Sequence, residues 1–108
     1  MELIHKSSLS LQRQLLVETL QRVNFGRLEN IRFRSGQPEL HDESKIVREH
    51  KFSAENGPRP ESDKSDFTLK RPLVELFQYF DQRGDGEIDV LEVKHGLPFR
   101  MIVVEPAA

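Results

Sequence analysis

Two stretches of this chain decide its fold: GRLENIRFRSGQP at residues 26–38 and GEIDVLEVKHGLP at residues 86–98. They align without a gap at an offset of 60 residues. The positions that match identically are Gly26 with Gly86, Gly36 with Gly96, and Pro38 with Pro98. Five of the remaining ten positions exchange one apolar, acidic or basic residue for another of the same kind. The alternative is a chance match between two amphipathic segments, but the alignment favours one structural unit that occurs twice.

Each stretch follows a segment with helical periodicity. Residues 8–24 and 69–83 each place their apolar side chains along one face of a helix. Those positions are Leu9, Leu16, Leu20 and Val23 in the first segment, and Leu69, Leu73, Leu76, Phe77 and Phe80 in the second. Ser8 or Ser10 is a candidate N-cap, and Asn24 and Gly26 are candidate stop signals. Because Pro72 has to lie in the first turn, we expect the second helix to start near Arg71.

The repeated stretches themselves predict strands and tight turns. Apolar residues alternate with arginines at 31–34, and Ser35-Gly36 forms a turn dipeptide. Residues 45–52 predict a further strand. For the last hairpin we expect a three-residue loop, His95 to Leu97, which sets Val93 opposite Phe99 and Leu91 opposite Met101. The apolar residues Leu28 and Ile31 break the alternation, as do Ile88 and Leu91. Either a bulge lies at 29–30 and 89–90, or the first apolar residue caps the helix.

A unit of this kind cannot bury both its helix stripe and its sheet face alone. We therefore predict an α+β fold: a two-layer sandwich in which an antiparallel sheet of about four strands carries two helices on one face, built from a tandem αββ repeat. The chain forms one domain, 1–108, with the first repeat unit at 8–52 and the second at 67–105. Between them, residues 53–66 are rich in proline and charge, which predicts an irregular loop.

Composition narrows the class of protein further. The chain has 108 residues, of which 36% are hydrophobic and 31% charged, with no cysteine and a formal net charge of −2. Such a composition is typical of a soluble globular domain and excludes disulfides and thiolate chemistry. No apolar run is long enough to span a bilayer, and the N-terminus lacks the apolar core of a signal peptide. We expect a cytoplasmic protein without a membrane partner, and a homodimer is possible through free sheet edges.

Three strings of the sequence resemble a known group of proteins. NFGRLENIRFRSGQP at 24–38, VREHKFSAENGPRPE at 47–61 and VKHGLPFR at 93–100 occur in this order in short bacterial proteins with no established activity. The resemblance covers most of the chain. It implies no ligand, cofactor or catalytic residue.

Basic residues provide the main candidate site. Arg32 and Arg34 share one strand face, and three more basic residues lie on the strand expected to pair with it. The full set is Arg32, Arg34, Lys45, Arg48, Lys51 and, in the proline loop, Arg59. Such a patch fits a phosphate backbone or an acidic protein. It predicts a small non-enzymatic binding or assembly module, without a cofactor, whose partner is protein or nucleic acid. A solvated outer face balanced by glutamates is the other interpretation.

Two alternative functions remain open. Residues 81–92 resemble an EF-hand calcium loop, with Asp81, Asp85, Asp89 and Glu92 at ligand positions. However, Arg83 stands at a ligand position, and β-branched residues follow where a helix should leave, so we favour a helix–turn–strand connection and no metal. The second alternative is an enzyme with an acid–base site built from His50, His95 and a carboxylate such as Glu92.

Overall fold

The computed structural model of the chain describes residues 5–52 and 68–107. In chain order its elements are a 3₁₀ turn Lys6–Ser8, α1 Leu11–Val23, β1 Gly26–Arg34, β2 Gln37–Glu39, β3 Lys45–Arg48, α2 Arg71–Arg83, β4 Gly86–Lys94 and β5 Leu97–Ile102. The strands form one antiparallel sheet in the order β2-β1-β4-β5, and β3 pairs with β1 beside β2. The predicted α+β class is confirmed, with five strands instead of about four.

Local sequence explains where the helices begin and end. The Ser10 hydroxyl accepts a hydrogen bond from the Arg13 N–H at 3.2 Å, so α1 starts at Leu11 and not at residue 8. The second helix starts at Arg71 with Pro72 in its first turn, as expected. Both helices stop at a residue with positive φ, Asn24 at 63° and Gly84 at 75°. Asparagine and glycine tolerate this conformation better than other residues, which makes them effective helix terminators.

The two long strands at the centre of the sheet carry the inner face. In β1 and β4, Leu28 lies opposite Leu91, and Ile31 lies opposite Ile88. All four are buried, so the side-chain alternation changes phase between the first and second apolar residue of each strand. Asn30 sits at this point with a φ of 60°. The irregularity therefore lies inside the strands, and Leu28 does not serve as a helix cap.

One hydrophobic cluster joins both helices to the inner face of the sheet. It consists of Leu16, Val17, Leu20, Val23, Leu28, Ile31, Phe33, Leu69, Leu73, Leu76, Phe77, Phe80, Ile88, Leu91 and Val93. The Phe33 and Phe80 ring centroids lie 4.9 Å apart, which ties α2 to β1 across the two halves of the chain. Because both helices contribute to one cluster with both central strands, they cover the same face of the sheet.

Corresponding elements occur 60 residues apart: α1 with α2, and β1 with β4. The turns also correspond, since Ser35-Gly36 and His95-Gly96 all have positive φ. Each turn bonds the end of the helix in the other half. Gly36 N–H donates to the Gly84 carbonyl at 2.7 Å, and Gly96 N–H donates to the Asn24 carbonyl at 2.9 Å. A repeated ancestral unit as the origin of this spacing stays a prediction.

Two local predictions were wrong. The last hairpin has a two-residue turn, with Lys94 opposite Leu97 and Val93 opposite Pro98, although Leu91 does lie opposite Met101. The register shifts by one residue at Phe99, which restores the alternation that a two-residue turn would otherwise lose. In addition, β3 ends at Arg48 instead of continuing to residue 52. The predicted loop at 53–66 lies outside the described residues.

Neither helix of the described part of the chain is long and apolar enough to cross a membrane.

Candidate functional site

The sheet face turned away from the helices carries charges of both signs. Arg32 lies on this face between Glu39 of β2 and Glu87 of β4, and its Nε atom is 3.8 Å from the Glu87 carboxylate. In a second row across the strands, Arg27, Glu92 and Arg100 lie side by side. Arg32 and Arg34 thus share the predicted face, but acidic neighbours interleave with the basic ones.

The other predicted basic residues do not extend this face into a positive patch. Lys45 lies opposite Glu29, because β3 pairs with the first half of β1 and not with the half that holds Arg32. Arg48 lies on the helix side, where its Nη2 atom donates to the Arg22 carbonyl at 3.2 Å. Lys51 follows β3 and lies 3.5 Å from Glu49. Arg59 lies outside the described residues.

A different cluster forms at the end of the sheet where β1 begins and β4 ends. The turn at Phe25 is held from both sides: Glu49 N–H donates to the Phe25 carbonyl at 2.9 Å, and Gly96 N–H donates to the Asn24 carbonyl. These bonds bring the residues after β3 and the tip of the last hairpin to the same place. The His95 ring meets the Phe25 ring edge-on, with centroids 4.8 Å apart.

Cations and a second aromatic pair complete this cluster. The Lys51 ammonium lies 5.5 Å from the Phe25 ring centroid, within the range of a cation–π contact. Next to it, the His50 and Phe52 rings meet edge-on at 5.5 Å, and Phe52 is 90% exposed. We call this region the basic–aromatic end; it comprises Phe25, Arg48, His50, Lys51, Phe52 and His95. Among residues 48–52, the one acidic residue is Glu49.

The opposite end of the same sheet carries three carboxylates, two of which pair with arginines. Asp85, which stands 60 residues after Phe25, accepts a hydrogen bond from the Ser35 N–H at 2.7 Å. Close by, Asp81 pairs with Arg13 of α1, and Glu105 pairs with Arg83 at 2.8 Å. The carboxylates at this end are therefore engaged by backbone and arginine donors.

Sequence reasoning found Lys51 but missed Phe25, which lies beside it, and His95, which contacts Phe25. The alignment of the two repeats does show which residues occupy corresponding positions. The residue after each helix stop, Phe25 or Asp85, corresponds in the two units, and so do the first turn residues, Ser35 and His95. Contact between these positions comes from the cross-bonded turns, which no local pattern predicts.

The EF-hand interpretation has no support in the geometry. Residues 86–94 form β4 instead of a calcium loop, and the four acids have different partners. Those partners are Arg13 for Asp81, the Ser35 N–H for Asp85, the Val104 N–H for Asp89 and Arg100 for Glu92. Across residues 5–52 and 68–107, no three His, Asp or Glu side chains converge where they could hold a metal ion.

The histidine-based site is also not assembled around Glu92. A hydrogen bond from Arg100 lowers the pKa of the Glu92 carboxyl, and the same bond raises the pKa of Arg100. A carboxylate held in this way is a weaker base than a free one. His95 and His50 instead contact Phe25 and Phe52, respectively. An enzymatic role stays a hypothesis.

Comparison of the chain with models of protein families, with curated proteins and with solved structures gave no match. The resemblance to short bacterial proteins stays a prediction.

Proposed function

We propose that the protein is a small non-enzymatic module that binds single-stranded nucleic acid at its basic–aromatic end. The observation that carries the proposal is the almost fully exposed Phe52 ring beside His50, in a segment that also contains Arg48 and Lys51. Proteins that hold single strands combine cations for the phosphates with aromatic rings on which bases stack. Both kinds of group are present here within one short stretch of surface.

The distribution of charge supports this end of the molecule over the outer sheet face. On that face, Arg32 already faces two glutamates across the strands. Among residues 48–52, which the structure describes, Arg48 and Lys51 are basic and Glu49 is acidic.

A single strand fits this surface better than a duplex does. Stacking on Phe52 requires a base that is not already stacked and paired, as in a single strand or a loop. Reading a duplex generally requires a helix or a strand pair that enters a groove. Both helices of the described chain instead bury one face in the core.

A cytoplasmic location is part of the proposal. A chain without cysteine suits a reducing compartment, where disulfides would not form in any case.

Fluorescence anisotropy with a labelled single-stranded oligonucleotide tests this function. Phe52→Ala should weaken binding about 5- to 150-fold, because stacking contributes roughly 1–3 kcal/mol per base. The double variant Arg48→Ala/Lys51→Ala should weaken binding and flatten its dependence on salt, because fewer counterions are released.

The matched control is Arg32→Ala/Arg34→Ala on the outer sheet face, which removes the same number of positive charges. It should change affinity much less than the Arg48/Lys51 pair does. No detectable binding at low salt, or binding that the outer-face pair reduces while Phe52→Ala leaves it intact, would contradict the proposal.

A further inference from the structure

The edge of the sheet formed by β5 exposes an unusual amount of apolar side chain. Phe99 and Ile102 of β5, and Val104 just after the strand, are 59%, 47% and 76% exposed. The single charged residue of β5 is Arg100, which the Glu92 carboxylate already engages. The features that protect an edge strand lie in the first half of β5, at Pro98 and at the register shift beside Phe99, whereas residues 101–104 are all apolar and include no proline.

The opposite edge of the sheet is protected. It consists of two short strands, β2 with three residues and β3 with four, separated by residues 40–44. Two of the four residues of β3 are basic, Lys45 and Arg48, and lysine on an edge strand is a common device against pairing. The contrast between the edges indicates that β5 is suited to pairing.

The backbone of β5 is also oriented for an added strand. Asp89 accepts a hydrogen bond from the Val104 N–H at 2.8 Å, so this N–H points towards β4. Because backbone groups alternate in direction along an extended chain, those of Met101 and Val103 point away from the sheet. They are the groups that a further strand would bond.

A groove beside this edge provides room for the side chains of an added strand. It lies between α2 and β5, has a volume of about 500 Å³, and is lined on the helix by Pro72, Leu76 and Tyr79. On the strand, Pro98 and Met101 form its floor. In strand addition, backbone hydrogen bonds to a sheet edge supply affinity, and pockets for alternate side chains supply specificity.

We propose that β5 pairs in antiparallel fashion with β5 of a second copy, about a twofold axis at Ile102. In this register Ile102 lies opposite Ile102 of the second copy on the outer face. On the helix face, Met101 lies opposite Val103 of the second copy, whose side chain enters the groove beside α2. The result is one continuous sheet through two molecules.

Charge favours a second copy in this register. Arg100 faces Val104 of the second copy, so no like charges are opposed. A register centred on Arg100 would instead set two guanidinium groups against each other, which is unfavourable across a strand pair. The apolar residues of β5 serve both as the edge and as the added strand, so the surface is complementary to itself.

Cysteine substitution tests the register directly, since the chain has no cysteine of its own. Opposed residues in an antiparallel pair have Cβ atoms about 4.5–5.5 Å apart, close enough for a disulfide after a small adjustment. Ile102→Cys should therefore form a disulfide-linked dimer under mild oxidation. Ile46→Cys, a similarly exposed position on the opposite edge, should remain largely monomeric.

Charge reversal provides the second test by sedimentation equilibrium. Ile102→Lys and Ile102→Glu should each raise the dimer dissociation constant about tenfold or more, and an equimolar mixture should restore dimerisation through opposite charges. The control Ile46→Lys should dimerise like the unmodified chain. Circular dichroism checks that each variant is folded.

Two outcomes would overturn the proposal. One is an unmodified chain that stays monomeric up to its solubility limit, which would leave β5 as an edge for a different partner strand. The other is a dimer that Ile46→Lys disrupts and the Ile102 variants do not, which would move the interface to the opposite edge.

Discussion

In each half of the molecule, the residue after the helix stop contacts the hairpin turn of the other half, and the two contacts differ in chemistry. In the second half, Asp85 follows the helix stop and accepts a hydrogen bond from the Ser35 N–H of the first hairpin. In the first half, Phe25 occupies the corresponding position and meets the His95 ring of the last hairpin edge-on. The turn and helix-stop residues fix the backbone conformation at this contact. The position after the helix stop can therefore hold either a carboxylate or an aromatic ring. The same backbone frame can thus hold a carboxylate at one end of the sheet and an aromatic pair at the other.

The largest expected difference between the halves concerns the corresponding residues Phe33 and Val93. Phe33 is buried, and its ring lies between Phe80 and Tyr79 at centroid distances of 4.9 and 5.9 Å. Phe33→Ala should lower the free energy of unfolding by about 3–5 kcal/mol. Val93→Ala removes only two methyl groups and should cost about 2 kcal/mol. Urea unfolding of both variants measures the difference, and equal costs would refute it.

Substitution of the corresponding glycines Gly26 and Gly86 should also lower the free energy of unfolding more in the first half than in the second. A Cβ at Gly26, which has a φ of 150°, would lie 2.1 Å from the Val47 carbonyl oxygen, so backbone would have to move. Backbone strain of this kind typically costs about 1–3 kcal/mol. Gly26→Ala should lower the free energy of unfolding by an amount in the upper part of that range. At Gly86 the clash is with the Phe33 ring at 2.7 Å, and Gly86→Ala should cost less. Thermal unfolding ranks the two, and the reverse order would count against this explanation.

Helix capping offers a prediction with opposite signs in the two halves. Ser10→Ala removes the side-chain cap of α1 and should cost about 0.5–2 kcal/mol. At the corresponding position before α2, Lys70 makes no side-chain cap bond, so Lys70→Ser should stabilise the protein by about 0.5–1 kcal/mol. Both changes can be measured by urea unfolding. A loss of stability with Lys70→Ser would show that Lys70 has another role.

The smallest expected difference is in acid sensitivity. The bond from Arg100 lowers the folded-state pKa of Glu92 below the ordinary value of 4.5. The stability it contributes is therefore present above that ordinary value and is lost as the pH falls through the lowered one. Arg100→Gln should return the pKa towards 4.5, as an NMR titration of the Glu92 carboxyl would show. The first half has Arg32 and Leu40 at these positions and should lack the effect.

Sequence patterns predicted those parts of the fold that depend on local order. The helix stripes, the start of α2 at Arg71 and the Ser35-Gly36 turn all follow from residues close together in the chain. The register at Pro98 was predicted wrongly because one extra residue, Phe99, compensates for a two-residue turn. Pattern alone does not locate such an insertion.

The candidate site was less predictable, because it depends on strand registers between distant segments. Lys45 and Arg48 were expected beside Arg32, but β3 pairs with residues 26–29, and this sets Lys45 opposite Glu29. A shift of a few residues along β1 thus exchanges an arginine neighbour for a glutamate. Phe25 and His95 meet only because each hairpin reaches the helix end of the other half.

Those reciprocal bonds, from Gly36 to Gly84 and from Gly96 to Asn24, also bear on how the chain could be divided. Either half by itself would leave the carbonyl at its helix end without its hairpin donor, and its share of the core exposed to water. Fragments separated between residues 52 and 68 should consequently be poorly folded alone and recover their structure on mixing. Two identical fragments could meet the same need by exchanging hairpins, so a gene encoding half of this protein would be expected to yield an obligate pair.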